Sequence, residues 1–142
     1  MAAEVRALLL GLLLLVPATP HAAVNAQDLA EIRAVIQRQL DAFRRDDARG
    51  AFALASPGVQ QAFGTPERFL DVVRVSYRAV YRPAGVAFLG LTVMGGEAVQ
   101  QVQIIDGSGG VWVAHYAMQR QRDGSWRTSG CHLVQPARTI PT

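Results

Sequence analysis

The C-terminal segment from Val111 to Val134 constrains the fold most, because it has the sequence of one β-hairpin. Side chains alternate in character along VWVAHYAMQRQ and again along SWRTSGCHLV, with an Asp-Gly pair between the two runs. An Asp-Gly pair flanked by alternating runs is a strong signal for a tight hairpin turn. We therefore predict that this segment forms two antiparallel strands of a sheet. Any helices of the fold must then come from other parts of the chain.

The length of that turn decides which residues of the hairpin face each other. A two-residue turn at the Asp-Gly pair places His115 directly opposite His132 on one face of the sheet. Tyr116 then faces Cys131 on the other face, because successive strand residues point to opposite sides. Directly opposed residues have Cβ atoms about 4.5–5.5 Å apart, within reach of one hydrogen bond or one ion.

Upstream of the sheet, apolar residues recur at the spacing of helices. The first amphipathic helix is predicted to begin at Asp28, as its cap, and to run for about 18 residues. An alanine-rich stretch over 48–55 predicts a second, short helix that the sequence Ser-Pro-Gly at 56–58 ends, and 59–63 could add one further turn.

A third predicted helix begins with Thr65 as its cap and Pro66 at its first position, and Pro83 ends it. Tyr77 and Tyr81 lie on its apolar stripe and are candidates for the wall of an interior cavity. The opposite side of this helix carries a basic stripe, which predicts a solvated face, with an anionic ligand as the alternative; it consists of Arg74, Arg78 and Arg82.

From Val86 the apolar spacing changes to every second residue, the period of a strand. Two such runs flank Gly95-Gly96 and predict another hairpin with a two-residue turn. Its register groups five aliphatic residues on one face: Leu89, Leu91, Val93, Val102 and Ile104. Three helices followed by four antiparallel strands give an α+β fold in which the helices cover one face of a curved sheet.

The loop between the two hairpins decides which face carries the histidines. A five-residue loop over 106–110 joins those aliphatic residues to Trp112, Ala114, Tyr116, Met118, Cys131 and Leu133. It leaves a mixed polar face that consists of Gln101, Gln103, His115, Thr128 and His132. A four-residue loop would instead put His115 beside Val102 among the apolar side chains. Consistent burial favours the five-residue loop.

The first 26 residues have the pattern of an export signal, with Arg6 ahead of the apolar run ALLLGLLLLV. That run is about ten residues long, roughly half of a bilayer-spanning helix, so a cleaved signal fits and a membrane anchor does not. The small-x-small pattern Val-Asn-Ala predicts cleavage after Ala26, and Ala22 or Ala23 are alternative positions. The protein would then be periplasmic or secreted.

The remaining residues, 27–142, predict a single α+β domain with its core over about 28–135. A chain with 50% hydrophobic and 18% charged residues has the composition of a globular protein. Its net charge of +3 is modest, and no concentrated basic surface with aromatic residues predicts nucleic-acid binding.

Three stretches resemble a known family. AFALASPGVQQAFGTPERF, YRAVYRP and DGSWRTSGC are similar to the bacterial family called domain of unknown function 4864, over about Ile32 to Gln135. The resemblance implies the cone-shaped fold of proteins similar to nuclear transport factor 2, in which a bent antiparallel sheet wraps around three helices. It implies no catalytic residues, because the activity of that family is unknown. Thr128 replaces a larger aliphatic residue of the relatives, which implies a different pocket shape.

The histidines and the lone cysteine predict little chemistry. A stable zinc site needs three or four ligands, whereas His115 and His132 supply two and Cys131 points to the other face, so we predict no metal and no cofactor. His132 is badly placed to deprotonate Cys131, because adjacent strand residues diverge. A buried, inert thiol is predicted, with a mixed or intermolecular disulfide as the alternative.

The sequence therefore favours an exported, non-catalytic domain that binds a small apolar ligand or a partner, with the mixed polar face as a homodimer surface. The predicted binding residues are His115, His132, Gln101, Gln103, Tyr77 and Tyr81. The alternative is an enzyme of the isomerase or dehydratase kind, which would need a desolvated Asp, Glu or His in an apolar cavity. No acidic residue of the sequence is visibly placed for that role.

Overall fold

The computed structural model describes residues 24–94 and 97–136. Five helices come first, α1 (Ala26–Arg44), α2 (Ala48–Ala53), α3 (Pro57–Phe63), α4 (Pro66–Ser76) and α5 (Arg78–Tyr81). Four strands follow, β1 (Gly85–Met94), β2 (Glu97–Ile105), β3 (Val111–Arg120) and β4 (Trp126–Val134). Each strand pairs antiparallel with the next, in the order β1-β2-β3-β4. The predicted α+β fold, helices on a four-stranded antiparallel sheet, is confirmed.

The predicted export signal lies mostly at positions 1–23, outside the described residues. Within the described ranges, no helix is both long enough and apolar enough to span a bilayer.

Helix α1 is capped by Asn25, so the prediction of Asp28 as its cap is wrong. The Asn25 side chain accepts a hydrogen bond from the Asp28 N–H at 2.9 Å, and the Asp28 carboxylate accepts one from the Asn25 N–H at 2.9 Å. This reciprocal capping box gives Asp28 the third helical position. The same carboxylate meets the guanidinium of Arg120 at 2.7 Å and accepts from the Trp126 indole at 3.2 Å. Asp28 therefore joins the first helix to the last two strands.

The described residues form five helices where three were predicted, because the chain is interrupted at Ser56 and again at Tyr77. Ser56 does not end a helix but caps α3, accepting from the Val59 N–H at 3.3 Å. The predicted third helix begins at Thr65 and Pro66 as expected. It breaks at Tyr77, whose backbone leaves the helical region with φ −128° and ψ 47°.

Contacts with a distant turn accompany that break. The Tyr81 hydroxyl at the end of α5 donates to the carboxylate of Asp46, between α1 and α2, and the Arg82 guanidinium meets the same carboxylate at 3.0 Å. The spacing of apolar residues within one segment carries no information about such a long-range contact, so the sequence predicted one unbroken helix.

A bulge in β1 corrects the predicted register of the first hairpin. From Met94↔Glu97 to Leu91↔Gln100 the pairs match a two-residue turn, but the register then shifts, so that Phe88 and not Leu89 faces Val102. Because an extra residue reverses the alternation of faces, Leu89 is 37% exposed. Val93, near the turn, is 52% exposed. The prediction that Leu89 lies on the same face as Val102 is therefore wrong, whereas Val93, which pairs with Ala98, lies on that face but is exposed at its end.

Gln100 stabilises this bulge from inside the protein. Its side chain is fully buried, and its amide nitrogen donates to the carbonyl oxygens of Leu89 at 2.9 Å and Gly90 at 3.3 Å. Buried carbonyl groups need hydrogen-bond partners, and a bulge interrupts the ladder that would supply them. The glutamine amide takes the place of the missing ladder partner.

In the second hairpin the turn and a bulge each shift the strand register by one residue from the prediction, in opposite directions. The turn has three residues, 122–124, closed by the Gln121 N–H donating to the Ser125 carbonyl at 2.7 Å, so the predicted two-residue turn is wrong. A bulge in β4 then shifts the register back, and His115 faces His132 as predicted. On the turn side of the bulge Met118 pairs with Thr128, which puts Thr128 on the buried face and not among the polar residues of the other face.

The five-residue loop between the hairpins is confirmed by the pairing of Ile105 with Val111. Asp106 closes it by accepting from the Trp112 indole at 2.8 Å, from Ser108 and from the Gly110 N–H. These hydrogen bonds, that of Trp112 first, lower the pKa of Asp106 to about 2.

The core lies between α1 and the inner face of the sheet. The helix contributes Ile32, Ile36 and Leu40, and the strands contribute Ala98, Val102, Ile104, Ala114, Tyr116 and Met118. The opposite sheet face, which carries Gln101, Gln103, His115 and His132, is called the open face below.

We predict that Asp28→Asn lowers the free energy of unfolding at neutral pH but not in acid. The backbone hydrogen bond from Asn25, then those from Trp126 and Arg120, lower the pKa of Asp28 below its ordinary value. A depressed folded pKa gives a contribution that is full above the unfolded pKa of about 3.9 and is lost as the pH falls through the folded pKa. Denaturant unfolding over this range would show the difference from wild type shrinking.

Asp71→Asn is the matched control, because the Asp71 side chain is 70% exposed and its ion pair with Arg74, at 3.7 Å, is a surface pair. Such pairs contribute little to stability. A difference between Asp28→Asn and wild type that stays constant across the pH range would contradict the assigned role of the carboxylate.

Candidate functional site

A cavity of about 190 Å³ lies between the helices and the inner face of β3 and β4. Its apolar wall comes mainly from the helices and consists of Phe43, Val59, Phe63, Phe69, Val73 and Val80. Its polar side chains are Gln39, Tyr77, Tyr116, Thr128, Ser129 and Cys131. A concave, mainly apolar site with a few polar groups is the usual form of a small-molecule site.

Aromatic rings form the helical side of the cavity. Phe69 of α4 lies at the centre, with ring centroids 5.7 Å from Phe43, 5.7 Å from Phe52 and 5.2 Å from Phe63. These tilted and edge-on contacts are the geometries that aromatic pairs prefer. The sequence predicts α1 and α4 as amphipathic helices, and their buried stripes bring Phe43 and Phe69 together. The other two rings come from α2 and α3.

Thr128 and Gln39 form the polar link between the sheet and the helices at the cavity wall. Both are buried, and the Gln39 amide nitrogen donates to the Thr128 hydroxyl oxygen and to the Ala51 carbonyl, each at 3.0 Å. The Thr128 N–H donates to the Leu54 carbonyl at 2.9 Å, and its carbonyl accepts from the Ser56 N–H at 2.8 Å. Sequence reasoning missed this link, because it depends on the bulge that turns Thr128 inward.

Tyr116 and Cys131 are opposed residues of β3 and β4 and line the cavity from the sheet side. Tyr116 is 2% exposed, and its hydroxyl has no hydrogen-bond partner of ordinary geometry among the described residues. Burial, and then the neighbouring Cys131 thiol, raise the pKa of Tyr116 well above its ordinary value. Burial likewise raises the pKa of Cys131 to about 12. Both groups therefore stay protonated at physiological pH.

The cavity wall contains no Asp, Glu, His, Lys or Arg. Over the described ranges, no group of three or more His, Cys, Asp or Glu residues is arranged to hold a metal ion. A general acid or base works best with a pKa near the operating pH, and neither Tyr116 nor Cys131 has one. The described lining residues are therefore all uncharged at physiological pH.

The six predicted binding residues fall in three separate places. Gln101, His115 and His132 form one row across β2, β3 and β4 on the open face, with the two imidazole centroids 6.5 Å apart. Gln103 lies on the same face, next along β2. The remaining two, Tyr77 and Tyr81, lie on the helical side.

Tyr77 lines the cavity, as the sequence predicts for a residue of its stripe, whereas Tyr81 does not. The Tyr81 hydroxyl is bonded to Asp46, and its ring lies 4.9 Å from the Arg82 guanidinium. Tyr81 therefore holds the α5 turn in place. Its polar end is not available to the cavity.

The predicted basic stripe borders an open cleft of about 810 Å³ on the other side of Tyr77. Arg74 is paired with Asp71 at 3.7 Å, and Arg82 is paired with Asp46 at 3.0 Å. Asp106 adds a further carboxylate to the cleft wall. Because carboxylates offset the arginines, this cleft is a weaker candidate for a ligand site than the cavity.

Comparison with known structures places the fold. An NTF-2-like protein of unknown function from Silicibacter pomeroyi DSS-3 is 17% identical, with a TM-score of 0.54 over 78% of this chain and 97% of that one. An NTF2-like protein of unknown function from Shewanella baltica OS155 is 14% identical, with a TM-score of 0.53 over 78% of this chain and 96% of that one. At these identities the likeness concerns the fold alone, which is NTF2-like.

Comparison with curated proteins gives no match. The family model described as "Domain of unknown function (DUF4864)" matches residues 25–140, which include every helix and strand described above. The resemblance noted in the sequence is thereby confirmed, and the chain belongs to the DUF4864 family.

Proposed function

We propose that this protein binds a small apolar molecule in the cavity between its helices and its sheet, without transforming it. The observation that carries the proposal is the composition of the wall, which combines aromatic and aliphatic side chains with uncharged polar ones and, among the described residues, includes no carboxylate, imidazole or cationic side chain. The alternative enzyme needs a desolvated acid or base in this place. The protonated Tyr116 and Cys131 do not meet that need.

The size of the cavity limits the ligand. An engineered apolar cavity of about 150 Å³ in another protein binds benzene, and the cavity here measures about 190 Å³. A single substituted ring, or a short branched chain of similar volume, therefore fits the cavity without rearrangement.

We propose in addition that two copies associate through the open face. The polar row of Gln101, His115 and His132 runs between apolar residues of the same face, and at one end Val111 and Val134 are 41% and 40% exposed. Interfaces commonly combine apolar area with a small number of hydrogen-bonding groups. A self-complementary polar row between apolar residues favours a homodimer with twofold symmetry.

We also propose that the protein is exported and cleaved after Ala26, leaving residues 27–142 as one mature domain in the periplasm or outside the cell. The support is the signal-like sequence at positions 1–26. The position of the cleavage site affects the stability of α1, because a cut after Ala26 removes Asn25, the residue that caps this helix. A cut after Ala22 or Ala23 would keep the cap, which typically contributes about 1 kcal/mol.

The cavity proposal predicts that Val59→Trp abolishes the binding of ethylbenzene, because the larger side chain occupies the space. At about ten times the Kd, ligand stabilises the wild type by about 1.4 kcal/mol, which raises its Tm by several degrees. Titration calorimetry and thermal unfolding would measure both effects. Val75→Trp is the control, because Val75 is 73% exposed on α4 and does not line the cavity. Loss of binding in the control alone would assign the site to the open cleft.

The dimer proposal predicts twice the chain mass for the wild type in size-exclusion chromatography with light scattering. His115→Glu should shift the protein towards monomer, because each copy would bury an unpaired carboxylate in the interface. Val75→Glu, on an exposed helix position, should leave the mass unchanged. A wild type that is monomeric at all accessible concentrations would reject the proposal.

The export proposal predicts that the full chain, expressed in a Gram-negative host, is recovered from the periplasmic fraction with the mass of residues 27–142. Intact mass spectrometry identifies the first residue directly. Recovery in the cytoplasm at full length would contradict export, and a mass that includes Asn25 would move the cleavage site upstream.

A further inference from the structure

We infer that the ligand of the cavity is an uncharged molecule with one ring, whose single hydrogen-bond-accepting oxygen is bound by the hydroxyl of Tyr116. This inference rests on the proposed function, because it identifies the chemical class of the molecule that the cavity binds. It starts from the buried Tyr116 hydroxyl, which has no hydrogen-bond partner of ordinary geometry in the part of the chain that the structure describes.

The Tyr116 hydroxyl differs in this respect from the other buried polar groups of the wall. The amide nitrogen of Gln39 and the hydroxyl of Thr128 are bonded to each other and to backbone carbonyls. Tyr116 is equally buried, but its hydroxyl lies against the weakly hydrogen-bonding thiol of Cys131. A buried donor without a good partner is unfavourable, so buried polar groups of native proteins nearly always have one. A ligand oxygen would supply it.

The hydroxyl of Tyr116 both donates and accepts hydrogen bonds. Because the neighbouring Cys131 sulfur is a weak acceptor, a ligand acceptor is the partner that the donated hydrogen bond requires. The raised pKa of Tyr116 keeps the phenol protonated throughout the physiological range. A carbonyl, ether or ester oxygen accepts such a hydrogen bond. An ammonium group would be desolvated without a counter-charge, because none of the described lining residues is a carboxylate.

The charge of the wall argues against an anionic ligand inside the cavity. None of the lining side chains is Arg, Lys or His, so a carboxylate would be desolvated without a counter-charge. The arginines closest in the chain, Arg74 and Arg78, border the open cleft on the other side of Tyr77. An acidic ligand would be drawn to that cleft and not to Tyr116.

The shape of the wall favours a ring over a flexible chain. Three aromatic rings line the cavity, those of Phe43, Phe63 and Phe69. The Phe69 ring centroid lies 5.7 Å from that of Phe43 and 5.2 Å from that of Phe63. A ligand ring placed among them would extend the same tilted and edge-on contacts. A rigid ring also loses less conformational entropy on binding than a chain of equal volume.

The test compares two probes of nearly equal shape, ethylbenzene and acetophenone. Acetophenone has a carbonyl group at the position where ethylbenzene has a methylene group. Calorimetric titrations would use the wild type, Tyr116→Phe, Tyr77→Phe and Tyr81→Phe. We expect Tyr116→Phe to weaken acetophenone by roughly three- to tenfold, the net contribution of one hydrogen bond, and to leave ethylbenzene unchanged within about twofold. Retained ethylbenzene binding shows that the variant is folded. Tyr77→Phe removes the other tyrosine hydroxyl of the cavity and tests whether that group binds the ligand oxygen instead. Tyr81→Phe is the control, because Tyr81 does not line the cavity, and it should change neither Kd.

The outcomes separate this inference from the proposed function. If neither probe binds the wild type, the proposed function itself fails. If both probes bind and Tyr116→Phe changes neither Kd or changes both equally, the role of Tyr116 is rejected while the cavity remains a binding site. Selective weakening of acetophenone in Tyr77→Phe instead would transfer the role to Tyr77. Benzoate that binds the wild type as tightly as acetophenone would overturn the assignment of an uncharged ligand.

Discussion

The link between Thr128 and the helical layer determines the geometry of everything around the cavity. Through its backbone and its hydroxyl, this one residue of β4 bonds to Leu54, Ser56 and Gln39, and so ties the sheet to α1 and to the α2–α3 connection. The link exists because the β4 bulge turns Thr128 towards the helices. Its directional hydrogen bonds add to the apolar core and to the Asp28 contacts in fixing the separation between the helical and sheet walls of the cavity.

The sequence predicts the fold class and several of its details, because these depend on local periodicity. The change from a period near 3.6 to a period of 2 at Val86 correctly separates helices from strands. The His115–His132 pairing was predicted from a two-residue turn that does not exist. It is nevertheless correct, because a longer turn and a bulge shift the register by one residue in opposite directions. The two histidines therefore face each other as predicted because the two shifts cancel. Thr128 lies between the turn and the bulge, where only the first shift applies, and there the prediction fails.

The candidate site was less predictable, because it depends on contacts between distant segments. Tyr77 was selected from its helical stripe and does line the cavity, whereas Tyr81, on the same stripe, is bound to Asp46. Cys131 was predicted to be a buried thiol opposite Tyr116. The pairing is confirmed, but the residue is half-buried, and the desolvation of its thiol raises the pKa. The feature that matters most, the unpartnered hydroxyl of Tyr116, has no sequence signal. A missing hydrogen bond becomes visible only when all neighbouring groups have been placed.

The helix break at Tyr77 gives the fold a means of changing the size of its site. This single side chain belongs to the wall of the inner cavity and to the wall of the open cleft. A small residue at the same position in a relative would connect the two spaces while leaving the sheet, the Thr128 link and the phenol of Tyr116 in place. Related chains could thus accept long or charged molecules by replacing this one side chain. The size of their ligands would then diverge faster than their fold.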